Sequence, residues 1–383
     1  MRTPWLPVLL VILALASGGC ERNMPGTAQR PTPDADYLLL WESYRQAFIR
    51  DGRVIDVDNG GITHSEAQGY GMLLAEAAGD RPTFDRLLDW TLDRLQRSDG
   101  LLAWRFGPCP AADARAAVAA ALGREPVVEH GQCVNDANNA SDGDILVAWA
   151  LIRAAERWDE PRYLSQARRL AEATVSHSLI PWNQGLLLLP GAQGFIHPPS
   201  NGRAGYLVVN PSYWVFPALD DLARVFPDQP WETLAQSGQT LLRQARFGAM
   251  GLPPDWLAVD PSRGAIIGPA PGFDSVYGFN ALRVPLHLTW GRKRWQADDL
   301  QPFLAWWAHF PNQSFPAWID LHTGATAPFG ASAGAQAIAR FVRSVSEGWP
   351  PERTEWPALG EHDRYYSWSL AMLTRIAAQE TDR

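Results

Sequence analysis

Phe84-Asp85-Arg86-Leu87-Leu88-Asp89-Trp90-Thr91-Leu92-Asp93-Arg94-Leu95 carries Phe84, Leu87, Leu88, Thr91, Leu92 and Leu95 at i, i+3, i+4, i+7, i+8 and i+11, with charged residues between them. That period, with a polar back, is an amphipathic helix packed on one face. The same periodicity predicts helices near 36–50, 65–79, 144–158, 162–178, 212–226, 231–247, 279–290, 298–310, 331–346 and 364–380. Strand-like alternation is short and isolated, as in Tyr206 to Val209. The expected fold class is all-α.

Between these helices the connections 79–84, 158–162, 226–231 and 290–298 are short, whereas 50–65, 97–144, 178–212, 247–279 and 310–331 are long. Short connections fold helices into antiparallel hairpins. Every long connection then leads into the N-terminus of the second, fourth, sixth, eighth or tenth helix, and those ends must share one side of the molecule. Functional residues should collect there. Five hairpins plus a C-terminal helix predict a closed toroid of helix pairs, an (α/α)6 barrel, although the irregular 347–363 stretch breaks the alternation at the last pair. A superhelical stack of helix pairs is the competing topology, but no fixed-length repeat supports it.

The chain of 383 residues is 46% hydrophobic and 19% charged, which excludes disorder, collagen and coiled coil. Its net charge of -8, without a charge run or a basic stripe, makes nucleic acid an unexpected partner. The 18 Trp against 9 Tyr suit core packing and stacking on sugar rings alike. At the N-terminus, Arg2, an apolar run from Trp5 to Ala16 and the small residues Ser17, Gly18 and Gly19 read as an export signal over 1–19. Cys20 after two glycines resembles a bacterial lipobox, though Ser17 stands where Leu is usual. The expectation is lipidation of Cys20 and a location in the periplasm or at the outer membrane, touching the membrane through the lipid anchor only; plain secretion is the alternative. Residues 20–35 form a polar, Pro-rich tether and 36–383 one domain, expected to be monomeric. In an oxidising compartment Cys109 and Cys133 are expected to form a disulfide, worth roughly 3 kcal/mol by loop-closure entropy. Two cysteines without His spacing make a poor metal site.

The helix N-termini decide the chemistry. Thr63-His64-Ser65-Glu66-Ala67-Gln68-Gly69-Tyr70-Gly71-Met72 precedes the second helix, where Thr63 and Glu66 have capping-box spacing. Capping is the bland role of Glu66; as a general acid it would need desolvation among aromatics such as Tyr70 and Trp104 to favour its protonated form. Asp136-Ala137-Asn138-Asn139-Ala140-Ser141-Asp142-Gly143-Asp144 precedes the fourth helix with more acid than capping needs. Asn210-Pro211-Ser212-Tyr213-Trp214 precedes the sixth and Tyr277-Gly278-Phe279-Asn280-Ala281-Leu282-Arg283 the eighth. Carboxylates, amides, aromatics and one Arg converge, with no His cluster, phosphate loop or G-x-S-x-G motif, so neither metal nor cofactor is expected. His64 and His130 stand alone.

Taken together, Asp51-Gly52-Arg53-Val54-Ile55-Asp56, Ser65 to Met72, and Ala140-Ser141-Asp142-Gly143-Asp144 through Ala148 to Trp158 resemble glycoside hydrolase family 8, its bacterial cellulose-synthesis endoglucanases in particular. Leu189-Pro190-Gly191, Asn210 to Tyr213, Pro254-Asp255-Trp256 and Ala281 to Val284 extend the resemblance over nearly everything from residue 36. The family implies an (α/α)6 barrel and an inverting hydrolase of β-1,4-linked glucans, some members preferring xylan or chitosan. By position, the resemblance makes Glu66 the proton donor, Asp142 the acidic residue that holds the sugar near its anomeric carbon, Tyr213 a tyrosine beside the attacking water and Arg283 an arginine that steadies the base. Trp104, Trp214 and Trp256 are candidate stacking platforms, and Tyr70, Asn139 and Asn280 further candidate substrate-binding residues.

One departure matters: Asn280 stands where many members carry Asp as general base, and an amide cannot take water's proton at neutral pH. Ala67 and Val147 are milder changes. Asp274 is the leading substitute base, followed by Asp255 and Asp142. The alternatives are a glycan-binding protein that retains the groove, weakly active or inactive, and a structural solenoid, which leaves the polar loop residues idle.

Overall fold

The computed structural model describes residues 32–200, 204–290, 294–310, 314–350, 354–360 and 362–381. The signal segment 1–19, Cys20 and most of the 20–35 tether lie outside them. Among the described residues twelve helices carry the fold: α1 (Ala35–Phe48), α2 (Ser65–Ala78), α3 (Arg81–Leu95), α4 (Ala112–Leu122), α5 (Ser141–Trp158), α6 (Pro161–Ser178), α7 (Phe216–Val225), α8 (Trp231–Gln244), α9 (Val284–Thr289), α10 (Ala297–Ala308), α11 (Ala333–Ser346) and α12 (Tyr365–Thr381). An inner circuit runs α2 to α5 to α7 to α9 to α12 and back to α2, with α3, α6 and α8 hairpinned outside it and α11 packed on α9, α10 and α12. This is the closed toroid, mainly helical, that alternating short and long connections predict.

Helix composition explains who lies inside. α5 buries every residue from Ser141 to Ala155, as an inner helix must, whereas α3 buries Phe84, Leu87, Leu88, Thr91 and Leu95 and turns its charges to water. α2 and α5 touch closely because glycine faces the partner: a Cβ on Gly69 would come 2.6 Å from the Leu146 Cβ. Arg153, 1% exposed, closes the ring electrically, donating from Nε to Glu76 on α2 at 2.7 Å and from Nη2 to Glu380 on α12 at 2.8 Å. Such a buried charge is tolerated because it is paired and hydrogen-bonded.

Three expectations need correction. The 97–144 segment is not all loop, because Ala112–Leu122 is helical; it buries only Val118 and Leu122, too few apolar positions to leave a period. Cys109 and Cys133, with Cα atoms 5.1 Å apart, are joined across this excursion. Strands are more numerous than sequence alternation suggests. Tyr206–Val209 belongs to a four-stranded antiparallel sheet with Ile196–His197, Leu257–Asp260 and Ala265–Pro269, and there are four smaller sheets among the described residues. Their strands run only two to five residues, too short for alternation to register, and several pair across long connections, as Thr63–His64 does with Arg105–Pro108. The helix expected over 279–290 is a 3-10 turn, Ala281–Arg283, followed by the short α9.

Candidate active site

Glu66 and Asp142 reach one point because α2 and α5 begin side by side. The strand Thr63–His64 pairs with Arg105–Pro108, which pairs in turn with Gln132–Asp136, so one small sheet delivers the chain to both helix starts. Thr63 does not cap α2. Its hydroxyl points into the core, donating to the Val54 carbonyl at 2.6 Å and accepting from Arg53 Nε at 2.9 Å, while His64 caps the helix through Ala67. Strand pairing overrides the capping-box spacing, and the Glu66 carboxylate turns to Arg283 and Tyr70 instead of the helix cap.

Arg283, 3% exposed, is the hub. Its Nη1 pairs with Glu66 Oε1, lies 3.5 Å from Asp142 Oδ2 and donates to the Tyr70 hydroxyl at 3.1 Å. Its Nη2 donates to Ser212 Oγ and to Asn280 Oδ1, each at 2.8 Å. Tyr70 donates to the same Glu66 Oε1 at 2.6 Å. Oε2 therefore remains the oxygen open to carry a proton toward a leaving group. Burial first, then the nearby Glu66 charge, push the Asp142 carboxyl up to about 7 against the pull of Arg283. Asp142 is not a cap either: the N-cap position of α5 is Ala140, and among the described residues Asp142 Oδ1 accepts from Gly143 N–H alone, at 2.8 Å.

Asp255 serves the backbone rather than the cleft. Buried, it accepts the backbone N–H groups of Gly278 at 2.9 Å and Ala281 at 2.7 Å, folding the turn that carries Asn280 and Arg283. Asn280 Oδ1 also accepts from Asn210 Nδ2 at 3.0 Å, so its Nδ2 is the atom left without a partner among the described residues. Tyr213 lies half-buried with its ring 5.9 Å from the Arg283 guanidinium. Burial, then the charge of Asp142, hold its phenol well above the ordinary range.

Two hollows flank this hub and share Phe279. One, about 670 Å³, is lined by Glu66, Asn280, Arg283, Phe279, Phe329 and Tyr366 among others; the adjoining one, about 600 Å³, holds Trp256, Phe273, Asp274 and Trp318. Trp256 stacks on Phe273 at 4.5 Å and on Phe195 at 6.0 Å, and meets Tyr213 edge-on. Trp104 is half-buried beside α2, carrying the Arg105 guanidinium over its ring at 5.6 Å. Trp214 cannot stack on a sugar. It is fully buried, donates to the Leu234 carbonyl at 3.0 Å and fills the space Gly238 leaves on α8. Asn139 is likewise withdrawn: its Nδ2 donates to Asp144 and its Oδ1 accepts from Ala192 N–H, all inside the protein. Asp274 is exposed and lines the second hollow, with no bond to Glu66, Asp142, Asn280 or Arg283 among the described residues. Phe279, Phe329 and Tyr366 escape the sequence reading, although Phe279 adjoins Asn280 and was within reach of it.

A ring of helix hairpins with paired carboxylates, a buried arginine and an aromatic cleft at one end defines a glycosidase of the toroidal class. The glycosyl hydrolases family 8 model matches residues 27–380. A probable endoglucanase of Novacetimonas hansenii is 34% identical over 373 residues, 97% of this chain and 99% of the relative. Among solved structures, the endo-beta-1,4-glucanase CMCax from Acetobacter xylinum superposes with a TM-score of 0.77 at 33% identity, covering 91% of this chain and 99% of that one. The endoglucanase Cel10 from Klebsiella pneumoniae gives 0.75 at 35% identity, covering 90% and 100%. The chain belongs to glycosyl hydrolase family 8, with its (α/α)6 barrel.

Proposed function

We propose that the chain is an endo-acting β-1,4-glucanase of cellulose-type glucans that inverts configuration, with Glu66 as proton donor. The observation that carries this reading is the asymmetry of the Glu66 carboxyl, whose Oε1 is held by Tyr70 and Arg283 while Oε2 stays open at the mouth of the cleft. Glu66 protonates the glycosidic oxygen, Asp142 holds the sugar at its anomeric centre, and Phe279, Phe329 and Trp256 offer faces to successive rings.

The water must lose its proton on the far side, and Asn280 cannot accept it. Asp142 shares Arg283 Nη1 with Glu66, so it lies beside the acid at the same guanidinium rather than across the sugar from it, where an inverting base is needed. Asp255 is committed to the turn it folds. Asp274, which lines the adjoining hollow with Phe279, remains as the base. Asp274→Ala should lower hydrolysis of carboxymethylcellulose by about two to four orders of magnitude, with azide restoring part of it. Wild-type rates in that variant would remove Asp274 from the mechanism. A glycan-binding protein is the second reading, favoured by Asn280 alone; saturable cello-oligosaccharide binding without cleavage by the wild type would establish it.

A further inference from the structure

Arg53 is 8% exposed, yet among the described residues none of its hydrogen bonds ends on a carboxylate. Its Nε donates to Thr63 Oγ1 at 2.9 Å, its Nη1 to Gln132 Oε1 at 2.6 Å and its Nη2 to the Gly61 carbonyl at 3.0 Å. The guanidinium lies over the Phe106 ring at 4.8 Å and the Trp90 ring at 5.7 Å. Such a charge is expensive to bury, and here neutral acceptors and two ring faces hold it. What the arrangement gains is reach. Thr63, Phe106 and Gln132 stand on the three strands of the small sheet, Thr63–His64, Arg105–Pro108 and Gln132–Asp136, so one side chain grips all three.

The outer strands of that sheet lead to the two acids. Thr63 runs through His64 and Ser65 into Glu66, while Gln132–Asp136 runs on past Asn138, whose carbonyl accepts from Trp104 N–H at 2.8 Å, to Asp142 in the first turn of α5. The backbone beside Arg53 is tied to α2 as well: Val54 N–H donates to the buried Gln68 Oε1 at 2.7 Å, and the Val54 carbonyl accepts from Thr63 Oγ1 at 2.6 Å. We infer that Arg53 is a positioning residue, a clasp across the sheet that fixes the Glu66 carboxyl relative to the sugar held at Asp142. Only a planar fork meets Thr63, Gly61 and Gln132 from one point; a lysine keeps the charge and loses the fixed geometry.

This inference rests on Glu66 being the acid, and the choice of leaving group separates the two claims. Cleavage of cellopentaose needs a proton on the departing oxygen, whereas a dinitrophenolate leaves a dinitrophenyl β-cellotrioside without one. In the full chain carrying Arg53→Lys, kcat on cellopentaose should fall about ten- to a hundredfold with KM changing less than about twofold, while kcat on the dinitrophenyl substrate falls less than about threefold. Glu66→Gln, measured beside it, tests the acid: wild-type cleavage of cellopentaose by that variant defeats the acid assignment. If Glu66→Gln spares the dinitrophenyl substrate but Arg53→Lys keeps wild-type rates or loses both substrates equally, the clasp alone is overturned. Gln132 is half-buried at the sheet's edge and gives a milder test where Arg53→Lys does not fold. Gln132→Leu removes one arm and should show the same leaving-group pattern to a smaller degree, and Gln132→Glu, which restores an acceptor, should recover most of the loss. Wild-type kcat on cellopentaose in Gln132→Leu, or equal losses in Gln132→Leu and Gln132→Glu, also overturns the proposal.

Discussion

Asp142 and Asp144 stand two residues apart in the first turn of α5, both buried, and burial pushes each carboxyl up to about 7. Asp144 spends its oxygens on structure, accepting from Leu102 N–H at 2.9 Å and Asn139 Nδ2 at 2.8 Å, while Asp142 faces Arg283 and the cleft. A carboxyl whose folded pKa exceeds its unfolded value keeps its proton after the unfolded chain has lost it, so stability falls as pH rises from about 4 to about 7. Asp142→Asn removes that penalty while removing the sugar's partner. Its melting temperature should exceed wild type at pH 8, the gap shrinking toward pH 4 in calorimetry, while turnover drops; a gap that widens on acidification would contradict the sign. In the sequence an excess of acid before the fourth helix is visible. Which acid serves the cleft is not, because Asn139 and Leu102 meet Asp144 only in the folded chain.

At the scale of elements, the site depends on how closely α5 approaches α2. A Cβ on Gly143 would stand 2.7 Å from Ser65 Cβ and 2.9 Å from the Glu66 backbone nitrogen, so Gly143→Ala must push the two helix starts apart. The expected cost is about 1–3 kcal/mol of stability, read by denaturant unfolding, together with a loss of kcat as Glu66 shifts. An alanine variant with wild-type stability and turnover would show the contact to be slack. Periodicity makes the helices legible, as in Phe84 to Leu95, because each records its own buried face. Thr63 misleads for the opposite reason: its spacing to Glu66 is local, but its partners Val54 and Arg53 arrive through chain pairing. The 3-10 turn at Ala281–Arg283 is hidden likewise, since Asp255 organises it from more than twenty residues away.

In the molecule as a whole, alternating loop lengths predict a ring, and the ring gathers the N-termini of α2, α5 and α9 around Arg283. The proposed export of the chain belongs to this scale: intact mass of membrane-derived protein should show loss of residues 1–19 and an acyl group on Cys20, and cleavage elsewhere without lipid would leave an unanchored exported enzyme. What the sequence does not convey is the direction in which side chains point, so Trp214 reads as a platform and proves to be core, while Phe279 and Phe329 go unnoticed at the cleft. The account rests on Glu66 protonating a bond that water attacks from the opposite face. Proton NMR of the first products from cellopentaose tests it most directly. The wild type should release the α-anomer before mutarotation and Glu66→Gln should release almost none, whereas a β-anomer first product, with Asp142 then acting as a nucleophile, or undiminished cleavage by Glu66→Gln, would contradict it.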